Sequence, residues 1–411
     1  MAATSKPPDV VERLATLAKL GKHEGGIDRA LATPAERAAR ELFVTWAQQA
    51  QLEVSQDRVG NLFARRHGAI SDAKAILVGS HLDTVPTGGA YDGAYGVVGA
   101  LNALDLLIRR NIVTQHPVEA VAWIGEEGSR FPLGCLGSST FCGLTPEAQA
   151  LALTDENGLT LQQALASPEG GLIPGLHVRQ GRAVAAYLEL HVEQGPVLED
   201  SGVSLGIVTA IAAQRRYRVT VDGKSGHAGT VPMDRRSDAL SAASELFLAI
   251  ESAARSTGDC VATVGKVVVE PGGTNVIPLR VIFSLDVRSP DESHILCVED
   301  ALQKAIDHTK RERGVPAVVE RLESRPAAPM APPLREAIRR AAIELGQPAI
   351  DVARGAGHDA MCLARIAPAA MIFVPSIGGL SHVGEERTSA ADLRLGVEAL
   401  AAAIIEVDRT P

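Results

Sequence analysis

The chain has 411 residues, of which 46% are hydrophobic and 22% charged, and its formal net charge is -9. The length exceeds what one core usually fills, so two domains are expected. The acidic balance argues against a nucleic-acid partner, the 3% aromatic content against a base-stacking surface, and no apolar run approaches the ~20 residues that span a bilayer.

Residues 1–10 lack a charged stretch followed by an apolar one, so they do not read as a secretion signal. A helix is predicted over 33–50, with Thr33 as cap, Pro34 in the first turn and Glu36 three residues after the cap. Two short strands flank Arg58-Val59-Gly60-Asn61 within 54–66. Residues 75–79 read as a buried strand, 93–110 as a mostly apolar helix, and 118–124 as a second buried strand running into Glu126-Glu127. Strand, helix, strand in that order is a unit of a mainly parallel sheet. Residues 141–181 are polar and irregular, helical in part. A further strand at 187–191 leaves through Val192-Glu193-Gln194-Gly195-Pro196.

The pattern changes near Gln214. Alternation predicts strands over 216–221, 261–269, 276–287 and 317–322, and helices over 237–254 and 293–309. The order β-α-β-β-α-β is that of a small α+β sandwich. A Pro- and Ala-rich stretch, 324–333, reads as a linker, followed by a helix at 334–345, a buried strand at 369–374 and a closing helix at 390–407. The expectation is an α/β protein. Its larger domain, 1–213 and 325–411, has a mainly parallel central sheet, and a smaller domain, 214–324, is inserted as a lid. Five scattered cysteines, none in a Cys-x-x-Cys pair, suit free thiols in a reducing cytoplasm.

Ionisable residues gather where the buried strands end: His81 and Asp83, Glu126 and Glu127, His191 and Glu193, and His382 after the strand at 369–374. One such group is an ordinary surface turn. Four, three of them with histidine, point to a site at the carboxyl ends of the strands, and imidazole with carboxylate suits Zn, Ni, Co or Mn. The count serves two ions. His81 and His191 can hold one, Glu127 and His382 the other, and Asp92, on the Gly-rich turn after His81, can bridge them. Asp83 suits a supporting position, accepting the free imidazole N–H of His81, or is a turn cap. Of Glu126-Glu127, one can bind metal while the other takes a proton from the attacking water. We assign Glu126 as base and Glu127 as ligand, although spacing alone permits the reverse. In the inserted domain, His227, in Ser225-Gly226-His227-Ala228-Gly229, can donate to an oxyanion or be a plain loop histidine. Asn275 and Arg288 offer an amide and a guanidinium suited to a carboxylate, and the plainer reading of Arg288 is an ion pair with Asp286. His358, in Gly357-His358-Asp359-Ala360, either orients substrate or caps a helix.

These residues and their surroundings resemble the M20 superfamily of di-metal amidohydrolases and peptidases. The features that carry the likeness are His81-x-Asp83, Asp92-Gly93, Glu126-Glu127-Gly128 and the late His382. Finer motifs resemble one branch, the N-carbamoyl-L-amino-acid hydrolases, allantoate amidohydrolases and β-ureidopropionases. They include Gly25-Gly26-Ile27-Asp28-Arg29, Glu127-Gly128-Ser129-Arg130-Phe131, Leu190-His191-Val192-Glu193-Gln194-Gly195-Pro196 and His227-Ala228-Gly229-Thr230-x-Pro232-Met233. The resemblance implies two divalent ions per subunit on His81, Asp92, Glu127, His191 and His382, with Asp92 bridging and Glu126 as general base. It implies a homodimer through the inserted domain, with His227 reaching the partner's site. It implies that Asn275 and Arg288 hold the carboxylate of a ureido substrate, aided by Gln194, Arg215 and His358. Arg216 stands where many carbamoylase-like members carry an aromatic residue. The expected reaction is hydrolysis of an N-carbamoyl-L-amino acid to amino acid, CO2 and ammonia. The alternatives are allantoate amidohydrolase, β-ureidopropionase, an M20 dipeptidase, or a non-catalytic metal-binding or interaction protein.

Overall fold

The most continuously apolar runs of the sequence become the middle of one sheet. A computed structural model describes residues 9–179, 181 and 183–409; most of the stretch read for a secretion signal, residues 1–8, lies outside them. The chain divides into two units. One takes the chain up to Thr209, Met330–Val352 and the chain from Gly357; the other takes Ala210–Pro329 and Ala353–Ala356.

In the first unit, Val118–Trp123, Ala75–His81, Val184–Val192 and Ala369–Val374 lie side by side in that order, all parallel. Nearly every residue in them is buried. Strands covered on both faces need apolar side chains throughout, which is why these four do not alternate. Outside them the sheet turns antiparallel. Leu62–Arg66 pairs with Val118–Trp123 and Glu53–Gln56 lies beyond it, while Leu205–Ile211 runs against Ala369–Val374. The sheet is therefore mixed, parallel at its centre. Because the central strands share one direction, their carboxyl ends, with His81, the approach to Glu126 and His191, line one edge.

The helix Ala94–Arg109 is buried on almost all sides, packed on Ala75–His81 and on the helix Ala390–Asp408. Gly96 permits its close approach to the sheet, since a Cβ there would sit 2.3 Å from the carbonyl oxygen of Leu190. The helix Pro34–Gln49 is capped by Thr33, which accepts from Glu36 N. The Glu36 side chain turns instead to Arg40 and to Ala32 N, so the reciprocal half of a capping box is not made.

In the second unit, Ala213–Asp222 and Arg280–Ser289 pair antiparallel at the centre of a five-stranded sheet. Ala317–Arg325 forms one edge, and Val261–Thr263 and Val267–Glu270 the other. Val281, Phe283, Leu285 and Val287 alternate inward. They share a core with Leu246 and Ile250 of the helix Ala239–Thr257 and with Ile295, Val298 and Leu302 of Glu292–Arg313. The strand expected over 276–287 is broken. Pro278 lacks an N–H to donate, and Val276–Ile277 leaves the sheet to pair with Gly226–His227. Among the described residues, no helix is long and apolar enough to cross a membrane.

Candidate metal centre

Two histidines reach the centre from the ends of parallel strands with their tautomers set by backbone oxygens. Nδ1 of His81 lies 3.0 Å from the carbonyl oxygen of Asp83, and Nδ1 of His191 lies 2.8 Å from that of Val192. A carbonyl only accepts, so each neutral ring places its proton on Nδ1 and leaves Nε2 as an acceptor, which in His191 takes the Gly93 N–H at 3.1 Å. The acceptor for His81 differs from the one read in the sequence. The Asp83 carboxylate stands 3.7 Å off, too far for a hydrogen bond. It accepts instead from the backbone N–H groups of Glu126 and Glu127, at 3.1 Å each, and so seats the glutamate pair.

Asp92 faces both sides of the cluster. Its Oδ1 lies 3.3 Å from His191 Nε2 and 3.7 Å from His81 Nε2, and its Oδ2 lies 3.1 Å from His382 Nε2. Gly93 makes the turn possible: at φ 61 it occupies the left-handed region, and a Cβ would come within 2.4 Å of the His81 ring. His382 itself sits at φ 59, an uncommon conformation for a residue with a side chain, and is half-exposed. Its Nε2 is 3.7 Å from Glu127 Oε2.

Three overlapping groups therefore have ligand atoms within 4.8 Å of one another: His81, Asp92 and His191; Asp92, Glu127 and His382; His81, Glu126 and Glu127. Asp92 belongs to the first two. A fourth, Glu189, His191 and His358, is differently employed. Glu189 already accepts from Ser80 Oγ at 2.7 Å and from Ala360 N at 2.8 Å, which engages both its oxygens within the fold.

The protonation directions follow from crowding. Burial first, and then the neighbouring Glu127 charge, push the Glu126 carboxyl well up. Burial and the charge of Asp92 push Glu127 up to about 9. Burial alone would raise Asp92, yet the His191 and His382 imidazoles beside it hold it well below the usual range. The bond to Asp92 raises His382 to about 9, whereas burial lowers His81. Oε1 of Glu127 is buried without a hydrogen-bond partner. Carboxylates crowded in this way, an orphaned oxygen and the Nε2 acceptor of His81 fit a cation better than they fit one another.

Other residues singled out in the sequence are placed as follows. Gln194 donates from Nε2 to Asp92 Oδ2 at 2.9 Å, and the His358 ring packs edge-on against His191, 4.6 Å between centroids. In the second unit, His227 and Asn275 are neighbours, with Ala228 N donating to Asn275 O at 2.9 Å. Gly229 N donates to His227 Nδ1 at 3.0 Å, which leaves the ring proton of the neutral form on the exposed Nε2. Arg288 pairs with Asp286 at 2.8 Å and reaches Gly355 O at 3.0 Å. Arg215 is taken up by Glu299 at 2.8 Å and Glu292 at 3.1 Å.

Two supporting residues carried no sequence signal. Glu386 accepts from Tyr91 N, Asp92 N and Ser381 Oγ, tying the Asp92 turn to the loop of His382. Cys135 places its thiol on Glu126.

The sequence profile of peptidase family M20/M25/M40 matches residues 77–406. This chain belongs to that family. Over 97% of its length it is 38% identical to an N-carbamoyl-L-amino-acid amidohydrolase of Paenarthrobacter aurescens, covering 98% of that protein. It is 40% identical to an allantoate amidohydrolase of Bacillus subtilis, covering 92% of each chain. The crystal structure of an amidase of the hydantoinase/carbamoylase family from Burkholderia multivorans superposes with a TM-score of 0.92 at 36% identity, covering 98% of both chains. The α/β fold, with a central mixed sheet and a separate smaller unit, is that of the M20 family. M20 membership together with the ligand groups above suggests divalent-metal binding.

Proposed function

We propose that this M20 chain hydrolyses N-carbamoyl-L-amino acids to the L-amino acid, CO2 and ammonia. The observation that carries the reading is the division of Asp92 between two sets of ligands, His81 with His191 and Glu127 with His382. Similarity to N-carbamoyl-L-amino-acid amidohydrolases over nearly the whole chain supports the substrate class.

Two divalent ions, of Mn, Zn, Co or Ni, would be held by His81, Asp92, Glu127, His191 and His382. When bound, they would polarise the ureido carbonyl and lower the pKa of the attacking water. Glu126 takes a proton from that water and delivers it to the leaving amino-acid nitrogen. The carbamic acid released falls to CO2 and ammonia. Glu126 suits the base role because it shares a group with His81 and Glu127 but not with Asp92 and His382. Asp83 holds the two glutamates by their backbone N–H groups. His227 donates from Nε2 to the developing oxyanion, and Asn275 and Arg288 hold the substrate carboxylate. Gln194, Arg215 and His358 are assigned supporting roles in binding. Two copies pair through the inserted unit, 214–324, so that His227 serves the partner's site.

The test is turnover of N-carbamoyl-L-methionine, allantoate and N-carbamoyl-β-alanine, each with added Mn, Co, Ni or Zn. Release of L-methionine with ammonia is expected, and no turnover of any ureido compound with any metal would overturn the reading. The equally similar allantoate amidohydrolase favours a second reading, in which the pocket takes a second ureido group; preference for allantoate would decide for it. Mixing inactive His227→Ala and Glu126→Gln proteins should restore some activity, and no rescue in verified mixed dimers would confine His227 to its own subunit.

A further inference from the structure

The thiol of Cys135 donates a hydrogen bond to the Glu126 carboxyl, its Sγ 3.2 Å from Oε1. The backbone sets this contact. Cys135 N donates to Glu126 O at 2.8 Å, Leu136 N to Gly125 O at 3.0 Å, and Gly137 N to Ile124 O at 2.8 Å. Residues 135–137 thus run back along 124–126 and bring Cys135 opposite Glu126. The turn puts Cys135 at φ 52, ψ 36, a left-handed conformation that favours glycine. A side chain kept where the backbone disfavours one is a mark of function when that side chain meets a reacting group. The second Glu126 oxygen, Oε2, lies 3.8 Å from His81 Nε2, on the side of the ligand groups.

We propose that Cys135 is a positioning residue: its S–H holds Oε1 of Glu126 so that Oε2 alone faces the attacking water. A thiol is a weak donor, so it fixes the carboxylate's direction without the grip of a charged partner. The proposal rests on the reading of Glu126 as the base.

The test compares kcat, KM, bound metal and Tm for Cys135→Ala, Cys135→Ser and Cys142→Ala, together with Glu126→Gln alone and combined with Cys135→Ala. Cys135→Ala should lower kcat about fivefold to tenfold, the loss of one weak hydrogen bond to the carboxylate, with KM and metal content held. Cys135→Ser, which keeps a donor, should recover most of that loss. Cys142→Ala, which empties a similar buried volume away from Glu126, should keep kcat. Adding Cys135→Ala to Glu126→Gln should cost nothing further. Cys135→Gly accepts the left-handed backbone and tests the same loss should the alanine variant fold poorly. The proposal falls if the thiol-free variants keep full kcat while Glu126→Gln is inactive, or if Cys142→Ala loses as much as Cys135→Ala. A fully active Glu126→Gln would instead sink the base assignment itself, a separate and recognisable outcome.

Discussion

Oδ1 of Asp83 accepts the backbone N–H of Glu126 at 3.1 Å, and its other oxygen does the same for Glu127. The residue two places after His81 thus seats the glutamate pair rather than the imidazole. An asparagine here could accept one of these N–H groups, but its own NH2 would oppose the other. Asp83→Asn should therefore lower kcat by about tenfold or more, an orphaned buried donor being worth about 1–3 kcal/mol. The His81 tautomer, set by a backbone oxygen, should be untouched. Steady-state kinetics beside metal content would check this; full activity would show that the pair holds its place without Asp83.

Glu386 makes the equivalent argument for Asp92. It is buried, with Oε2 accepting from Tyr91 N at 2.9 Å and Asp92 N at 3.1 Å, and Oε1 accepting from Ser381 Oγ at 2.8 Å. Gly89 leaves it room, since a Cβ there would lie 2.2 Å from Oε2. Glu386→Ala orphans two backbone donors in the turn that presents Asp92. Metal affinity should fall about 10- to 100-fold, as when other outer partners of ligands are lost. Metal titration of the apoprotein would measure it, and unchanged affinity would assign Glu386 to local stability alone.

Legibility followed the range of the interactions. The four parallel strands were readable because strands covered on both faces are continuously apolar, and the charged residues leaving their ends converge as that topology requires. The strand Leu205–Ile211 was not read, because its apolar run passes through Ala212 into Ala213–Asp222 with no turn residue between. The helix Val10–Leu17 was also passed over, although Asp9 and Glu12 form a capping box. Glu386 and Cys135 could not be found locally. The backbone partners of Glu386 lie 294 and 295 positions away, and nothing in Gly134-Cys135-Leu136 marks a thiol aimed at a carboxylate. The partners of Arg215, Glu299 and Glu292 of the neighbouring helix, lie 84 and 77 positions away and are likewise not legible locally.

Chelation should remove both activity and stability. Asp92 is buried, the side chains of Glu126 and Glu127 are largely so, and Glu127 Oε1 has no hydrogen-bond partner. A bound cation supplies the missing partner, and ligand bound only by the folded state adds stability by mass action. EDTA treatment should abolish turnover and lower Tm by several degrees, and both should return with added Mn, Co, Ni or Zn. An active, chelator-indifferent protein would remove the metal reading altogether.

Asp286 organises the guanidinium assigned to the substrate carboxylate. Its Oδ1 accepts from Arg288 Nε at 2.8 Å, and its Oδ2 from Arg288 Nη2, Arg216 Nε at 2.9 Å and Gln214 Nε2 at 2.8 Å. Burial alone would raise this carboxyl, but Arg288 first, then Arg216 and Gln214, hold it below its ordinary value of 3.8. A depressed folded-state pKa gives stability that is fully present above the unfolded value and lost as pH falls through the folded one. The gap in stability between the wild-type protein and Asp286→Asn should thus be constant above about pH 5 and close below about pH 4. Denaturant melts across that range would show it. Because Asp286→Asn also frees Arg288 to wander, KM for carboxylate substrates should rise several-fold while kcat changes little. A fall in kcat at constant KM would mean that Arg288 contributes to the transition state rather than to uniform binding.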